Sequence, residues 1–462
     1  MSSLELFSLP PVDYRYEAHR FVRYNPTLTG IDPITFSIPQ TDDFIDLADS
    51  RLEIEVRLSN SAANYTGIQV NDAASDANNT RNTYVETNFG HTLFKQIDLS
   101  INGALVTPQG NNYHHQAYIE TLLNYSRTDG KSKLVPQGWT NDVNVQRTIA
   151  RTSGTDDTPN AGSMATIAPG MYALTGLLQQ KRWYTFTIRP HLPVFTSGRL
   201  LVPGVELKMD LHLNPMTQLL FQTPNLTSGA RKNPIITADD IKVTLILKKV
   251  TLNAKVYLDL QQQRTSGKSV VHYPVVRGDI RTFSIPTGFT RWEQDNIFLG
   301  RLPDEVVLVF MLTDVYNGSY ENHTFAYERH KISRVSQSVN GEEYPYRPLE
   351  LSTTADNKGS TDYKGYERLL TSMNVMHNNK EPMIFPSDWG DGKNATIFYF
   401  NNVPGGNPND PTVRNPRQSG NVRYTIDFEE ATTYNITVLV YSSQEHDLKI
   451  NYQNGVQYDV QA

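Results

Sequence analysis

One stretch, Leu93 to Tyr125, constrains the chain more than any other. Leu93, Lys95, Ile97, Leu99 and Ile101 alternate with Phe94, Gln96, Asp98 and Ser100. That period of two predicts a half-buried strand. Asn102-Gly103 follows at once. The dipeptide tolerates positive φ at both central positions and so closes a tight hairpin. Pro108 and Gly110 end the returning segment, and Asn111 or Asn112 can cap a helix. In that helix Tyr118, Leu122 and Tyr125 share a stripe, with Ile119 and Leu123 beside them.

A weaker copy follows later. Ile332 to Tyr346 places Asn340-Gly341 in the turn, and Tyr363, Tyr366, Leu369, Leu370 and Met373 fit a helical face. The leucine pairs Leu122-Leu123 and Leu369-Leu370 lie 247 residues apart. The pentapeptides Thr35–Pro39 and Thr282–Pro286, both TFSIP, lie at the same offset. Matches in the same order predict one β-rich unit written twice, with extra residues in the second copy near Thr353 to Thr361.

At 462 residues each half is long enough to bury its own core. Abundant Tyr, recurrent Thr and Val in the alternating segments, and Gly and Pro at the breaks favour strands. The net charge of −6 advertises no nucleic-acid surface. The absence of cysteine excludes disulfides, thiolate metal sites and a cysteine nucleophile. The opening residues lack a basic start and a long apolar run, so no secretory leader is expected. Numerous N-x-S/T sequons, such as Asn64 and Asn435, then read as accidents of an Asn- and Thr-rich chain. The run Val306 to Leu312 is far too short to cross a bilayer.

In chain order, residues 1–30 read as an arm: Leu4, Leu6, Phe7 and Leu9 precede Pro10-Pro11, and acids balance arginines. A near-neutral arm should pack on protein rather than on nucleic acid. Residues 31–258 read as a first unit of roughly eight strands. It includes Leu52 to Leu58 and the unbroken alternation Val205 to Leu213. Residues 60–83 and 126–180 are loops. Residues 259–269, with glutamines and a Ser-Gly, read as a linker, and residues 270–462 as a second unit of roughly eight strands with a Pro/Gly/Asn loop at 401–420. The predicted fold class is all-β: two tandem eight-stranded antiparallel jelly rolls, each with a short helix and long loops at one end.

Chemistry is sparse. His114-His115 is the one histidine pair; helix neighbours point about 100° apart, which makes a poor chelate, and a helix surface or polar interface is the ordinary reading. Asp427 and Glu429 share a strand face, as carboxylates of a glycosidase do, but such pairs are common on solvated strands. Gly390-Asp-Gly-Lys393 lacks phosphate-loop spacing, and no G-x-S-x-G occurs. Asp156-Asp157 and Asn409-Asp410 read as solvated turns rather than Ca²⁺ loops. No catalytic, cofactor-binding or metal residue is therefore assigned, and no enzyme activity is expected.

Three places carry a family resemblance: Glu5–Pro11, acidic-apolar and ending in Pro-Pro; Asp46 to Leu58, a polar turn into a strand; and Leu93 to Tyr125, where strand, turn and helix follow in order. Here the chain resembles the double jelly-roll major capsid proteins of eukaryotic DNA viruses and of Maverick/Polinton-type, adintovirus-like elements. The resemblance implies a structural capsid protein of the virion. It implies homotrimers of pseudo-hexagonal outline, with upright rolls, that tile an icosahedral shell around a DNA genome. The implied partners are other copies of itself and a penton or minor capsid protein, with no sequence-specific nucleic acid. Synthesis in the host cytosol and assembly in cytoplasm or nucleus are implied too. The alternative is a jelly-roll glycan-binding or attachment protein, with Trp139, Trp183, Trp292 and Trp389 as candidate contacts.

Overall fold

The structure, a computed structural model, describes residues 13–28, 30, 32–58, 83–145, 147, 168–178, 182–222, 236–266, 269–298, 300–345, 347–351, 363–376, 379–405, 415–416 and 418–458. Most of the loop at 60–83, Glu5–Pro11, Asp156-Asp157 and Asn409-Asp410 lie outside these residues.

The first eight principal strands are β1 (Tyr16–Tyr24), β2 (Ile34–Ile38), β3 (Phe44–Val56), β4 (Phe94–Ile101), β5 (Ala104–Leu105), β6 (Tyr184–Ile188), β7 (Leu207–Leu213) and β8 (Ile241–Leu252). They form two sheets, ordered β1-β8-β3-β6 and β2-β7-β4-β5. The next eight are β9 (Val271–Ile285), β10 (Arg291–Phe298), β11 (Glu305–Leu312), β12 (Ile332–Val339), β13 (Glu342–Glu343), β14 (Ile397–Asn401), β15 (Val422–Phe428) and β16 (Ile436–Ile450). Their sheets run β9-β16-β11-β14 and β10-β15-β12-β13. Adding eight to each strand number converts the first order into the second. Each is a jelly roll, and the pairings between these strands are antiparallel. A two-strand ribbon, Thr83–Val85 with Leu220–Gln222, completes the first roll.

The repeat rests on fewer matches than the sequence suggests. Asn102-Gly103 joins β4 to β5 and Asn340-Gly341 joins β12 to β13, the same hairpin of each roll. Both residues of each pair have left-handed φ: 49° and 79° in the first, 55° and 91° in the second. Such values fit the twist of a two-residue hairpin. Helix α1 (Tyr113–Asn124) and helix α4 (Lys364–Ser372) follow these hairpins in corresponding places. Between them in the chain, among the described residues, the helices longer than two turns are α2 (Pro169–Leu177) and α3 (Ala254–Ser266). The TFSIP pentapeptides do not correspond. The first enters β2, the second strand of its roll; the other ends β9, the first strand of its roll. Thr-Phe-Ser-Ile alternates in polarity, suits any half-buried strand, and so recurs without common position.

Three further readings are revised. In the segment read as an arm, Tyr16–Tyr24 is an edge strand paired with β8 and tied by Arg20–Asp43 and Arg23–Glu53 ion pairs. Most of the segment read as a linker is helix α3, with no buried residue. Its straight-chain residues (Leu, Gln, Lys, Arg) are good helix formers, which a search for apolar content overlooks. The alternation Leu93 to Ile101 breaks at a register shift between Phe94 and Gln96 against β7, so Phe94 and Ile97 are both buried.

The cores are exchanged between the rolls. Tyr273, Val275, Leu448 and Ile450, from the ends of β9 and β16, lie in the first roll's apolar cluster. Tyr118, Ile119 and Leu122 of α1, with Leu134, Trp139 and Val143, lie in the second roll's cluster. The strands β9 and β16 pair without a break from Val271↔Ile450 to Ile285↔Ile436. At about 3.3 Å per residue this ribbon is roughly 50 Å long, enough to serve both cores.

Helix α4, like α1, packs into the second roll's apolar cluster, through Tyr366 and Leu369. A Cβ on Gly365, in its first turn, would collide with the Trp389 ring. Gly→Ala in an exposed helix ordinarily stabilises by about 1 kcal/mol. Here Gly365→Ala is expected to destabilise by about 1–3 kcal/mol instead, read by denaturant unfolding.

Candidate functional site: the seam between the two rolls

The residues that most need each other across the fold lie between the rolls. Helix α1 supplies the first-roll side. Its apolar stripe packs on the outer face of the sheet β9-β16-β11-β14, and β11 is buried along its whole length. The approach is close because Gly278 has no side chain. A Cβ there would lie 2.8 Å from Gln116 Nε2, 2.9 Å from Glu120 Oε1 and 2.9 Å from the Tyr441 ring. A lone glycine inside the run Val271 to Ile285 is a sequence signal of close backbone approach that the alternation reading passed over.

Two carboxylates organise the polar part. Glu86 follows Val85 in the first-roll ribbon and is wholly buried. Its Oε2 lies 2.6 Å from His323 Nδ1, and its Oε1 accepts from the Thr324 backbone N–H at 3.0 Å. Thr324 in turn donates to the Gln218 carbonyl, and Gln218 to that of Tyr316. Glu120, on α1, has Oε2 2.6 Å from His191 Nδ1, while its Oε1 accepts from Gln116 Nε2 (2.9 Å) and Tyr441 OH (3.1 Å). Buried Glu86 of the first roll is thus met by His323 and Thr324 of the second, the condition on which burial of such a group is tolerable, and half-buried Glu120 is met by His191 and Gln116 of its own roll and Tyr441 of the other.

Further bridges flank these. Arg127 pairs with Asp388, donates to the Met383 carbonyl and lies over the Phe385 ring. Arg147 reaches Glu328 at 2.9 Å. Tyr273 OH donates to the Leu200 carbonyl and accepts from Val202 N–H. Burial pushes the Tyr273 phenol up to about 12, so it stays a donor at neutral pH. Asn112, read as a helix cap, instead accepts from Tyr316 OH across the seam.

His114-His115 belongs here, not on a helix surface. Both rings are buried, their centroids 4.2 Å apart, against Phe325, Tyr316 and Tyr327. The pair looked exposed because only the partner roll makes that helix face an interior. Among the described residues, no cluster of three or more His, Asp or Glu is arranged to hold a metal.

The other sequence candidates are placed elsewhere. Asp427 lies on the outer face of β15 near Arg291 and Arg334; Glu429 lies beyond the strand end and is exposed. Trp139, Trp292 and Trp389 are buried. Trp183 alone is exposed, and Arg57 and Lys242 lie over its ring. The Gly390–Lys393 segment is a turn with left-handed φ at Gly390 and Gly392. No helix among the described residues is long and apolar enough to cross a membrane.

Solved structures share the fold. The Sputnik virophage structure superposes with a TM-score of 0.60 at 12% identity, covering 100% of this chain and 93% of that one. A quasi-atomic model of the PBCV-1 virus capsid gives 0.57 at 10% identity, covering 99% and 100%. The chain has the double jelly-roll fold of viral major capsid proteins. The mavirus major capsid protein adds a TM-score of 0.53 at 10% identity, covering 99% of this chain and 93% of that protein. A Caenorhabditis elegans protein of uncharacterized role is 21% identical over 321 residues, 69% of this chain and 68% of its own length. No family model matches the chain.

The seam predicts a large mutational effect far from any surface. Glu86→Ala strands His323 and the Thr324 N–H in a dry interior, and is expected to cost about 3 kcal/mol in urea unfolding. Glu53→Ala, which removes only the half-buried partner of exposed Arg23, is expected to stay within about 1 kcal/mol of wild type.

Proposed function

We propose that this chain is the repeating subunit of a viral-type icosahedral shell. Three copies close into a homotrimer of pseudo-hexagonal outline, and trimers tile the facets of a shell that encloses a DNA genome. In this reading residues 31–258 and 270–462 are the two upright rolls and 259–269 the join between them. The observation that carries it is the repeated strand order, fixed into one body by a wet and dry seam. Three such bodies about a three-fold axis offer six like walls, as flat hexagonal packing needs. The full-length fold shared with three capsid structures supports the same role. A relative encoded by a nematode is what an integrated element of Maverick/Polinton type would leave in an animal genome.

The role is structural rather than catalytic, and its partners are further copies of itself and a penton or minor capsid protein at the shell's vertices. The finished protein resides in the virion, after synthesis in the host cytosol and assembly in cytoplasm or nucleus.

The purified chain should have a solution mass about three times 52.3 kDa and show hexagonal outlines or closed shells in negative stain. A stable monomer at high concentration, without assemblies across salt and pH, would reject the proposal.

A further inference from the structure

The seam and the first-roll interior beside it hold two kinds of histidine. His323 faces Glu86 and His191 faces Glu120, each at 2.6 Å. His91, His114 and His115 are buried, but among the described residues none forms an ion pair with a carboxylate. Neither ring nitrogen of His114, nor Nε2 of His91 or His115, has a hydrogen-bond partner among the described residues. His115 Nδ1 meets only Tyr327 OH at 3.1 Å, and His91 Nδ1 meets Tyr113 OH at 2.9 Å. A neutral imidazole carries one N–H; a protonated one carries two and a charge. Beside His91 the Gln137 side chain favours the charged form, but among the described residues no acceptor is placed for a second N–H on His114 or His115.

We propose that His114 and His115 make the seam an acid-triggered lock: neutral, they let the rolls close on each other; protonated, which an opened seam alone permits, they hold the rolls apart.

The charged neighbours are already engaged. On α1, Glu120 is held by His191, Gln116 and Tyr441. From the first-roll ribbon, Glu86 is held by His323 and Thr324. Arg127 and Asp388 hold each other, and Asp142 accepts from the Met171 N–H. The 313–327 segment packed on His114 and His115 presents Tyr316, Phe325 and Tyr327 to them. His191, 4.8 Å from His91 between ring centroids, would add repulsion if both were charged.

Burial accordingly pushes all three down, His114 to about 3 and the other two well below the ordinary value of 6.5, with His191 adding to the depression of His91 and His114 to that of His115. The sign follows. The open form binds more protons than the closed one, so closure is fully favoured above about pH 6.5 and weakens as pH falls. At about pH 5, each such imidazole raises the opening constant about 30-fold, and two raise it about 10³-fold. Three buried carboxyls oppose this: burial raises Glu305, Asp304 and Asp142, so their protonation in acid favours the closed form. The comparison must therefore be between variants at the same pH.

The test is hydrogen exchange of the α1 amides and of residues 313–327 in the full chain, from about pH 7.5 to 4.5, corrected for intrinsic exchange. Opening in wild type should rise steeply in acid, and His114→Asn with His115→Gln should flatten that rise by close to two protons. His19→Gln, on the exposed β1, should leave it unchanged. Equal slopes in wild type and the double variant would overturn the proposal. Should the double variant not fold, NMR titration of the wild-type imidazoles decides: midpoints near 6.5 in the closed form overturn it, and midpoints below about 5 sustain it. Both measurements use the chain in whatever assembly it adopts, so they stand or fall apart from the shell proposal.

Discussion

Everything in this molecule depends on how the outer face of the sheet β9-β16-β11-β14 is covered. An antiparallel sheet with one packed face usually turns the other to water, and its strands alternate. Here Val306 to Leu312 are apolar without interruption and buried throughout. The second roll therefore cannot stand alone without exposing a continuous apolar strip. Helix α1 of the first roll covers it with Tyr118, Ile119 and Leu122, while β9 and β16 return the favour by lending Tyr273, Val275, Leu448 and Ile450 to the first core. At about 1.5–3 kcal/mol for each fully buried large side chain, the exchange outweighs the loss of freedom between two rigid rolls.

Apolar cover alone would not fix the angle and register of one roll on the other. The carboxylates at the seam do. Glu86 must meet both His323 and the Thr324 N–H or be left charged in a dry interior, and half-buried Glu120 is met by His191 and Tyr441. Gly278 leaves room for the approach, since a Cβ there would crowd the Gln116 and Glu120 side-chain ends and the Tyr441 ring.

The two rolls kept the same strand order while nearly all sequence likeness between them was lost. What survives has a local physical reason. The Asn-Gly hairpins are retained where both central residues need left-handed φ, and the amphipathic helices after them are retained where a sheet must be covered. The shared TFSIP has no such reason and marks no common position.

The sequence by itself determined the period-two strands, the Asn-Gly hairpins, the helix after each, and with them two jelly rolls in tandem. These features are local: a pleat, a turn and a helical stripe are each specified within about a dozen residues. The same reasoning gave Val306 to Leu312 as an apolar run too short to cross a bilayer but not what covers it. The seam was decided only in three dimensions. Glu86 and His323, or Arg127 and Asp388, stand more than 230 residues apart, and no period relates them. His114-His115 looks like helix surface until the second roll arrives. The helix α3 was hidden because it has no buried face to impose a pattern. Local sequence writes what the backbone does with its own neighbours; the environment of a polar side chain depends on which distant surface the fold brings against it.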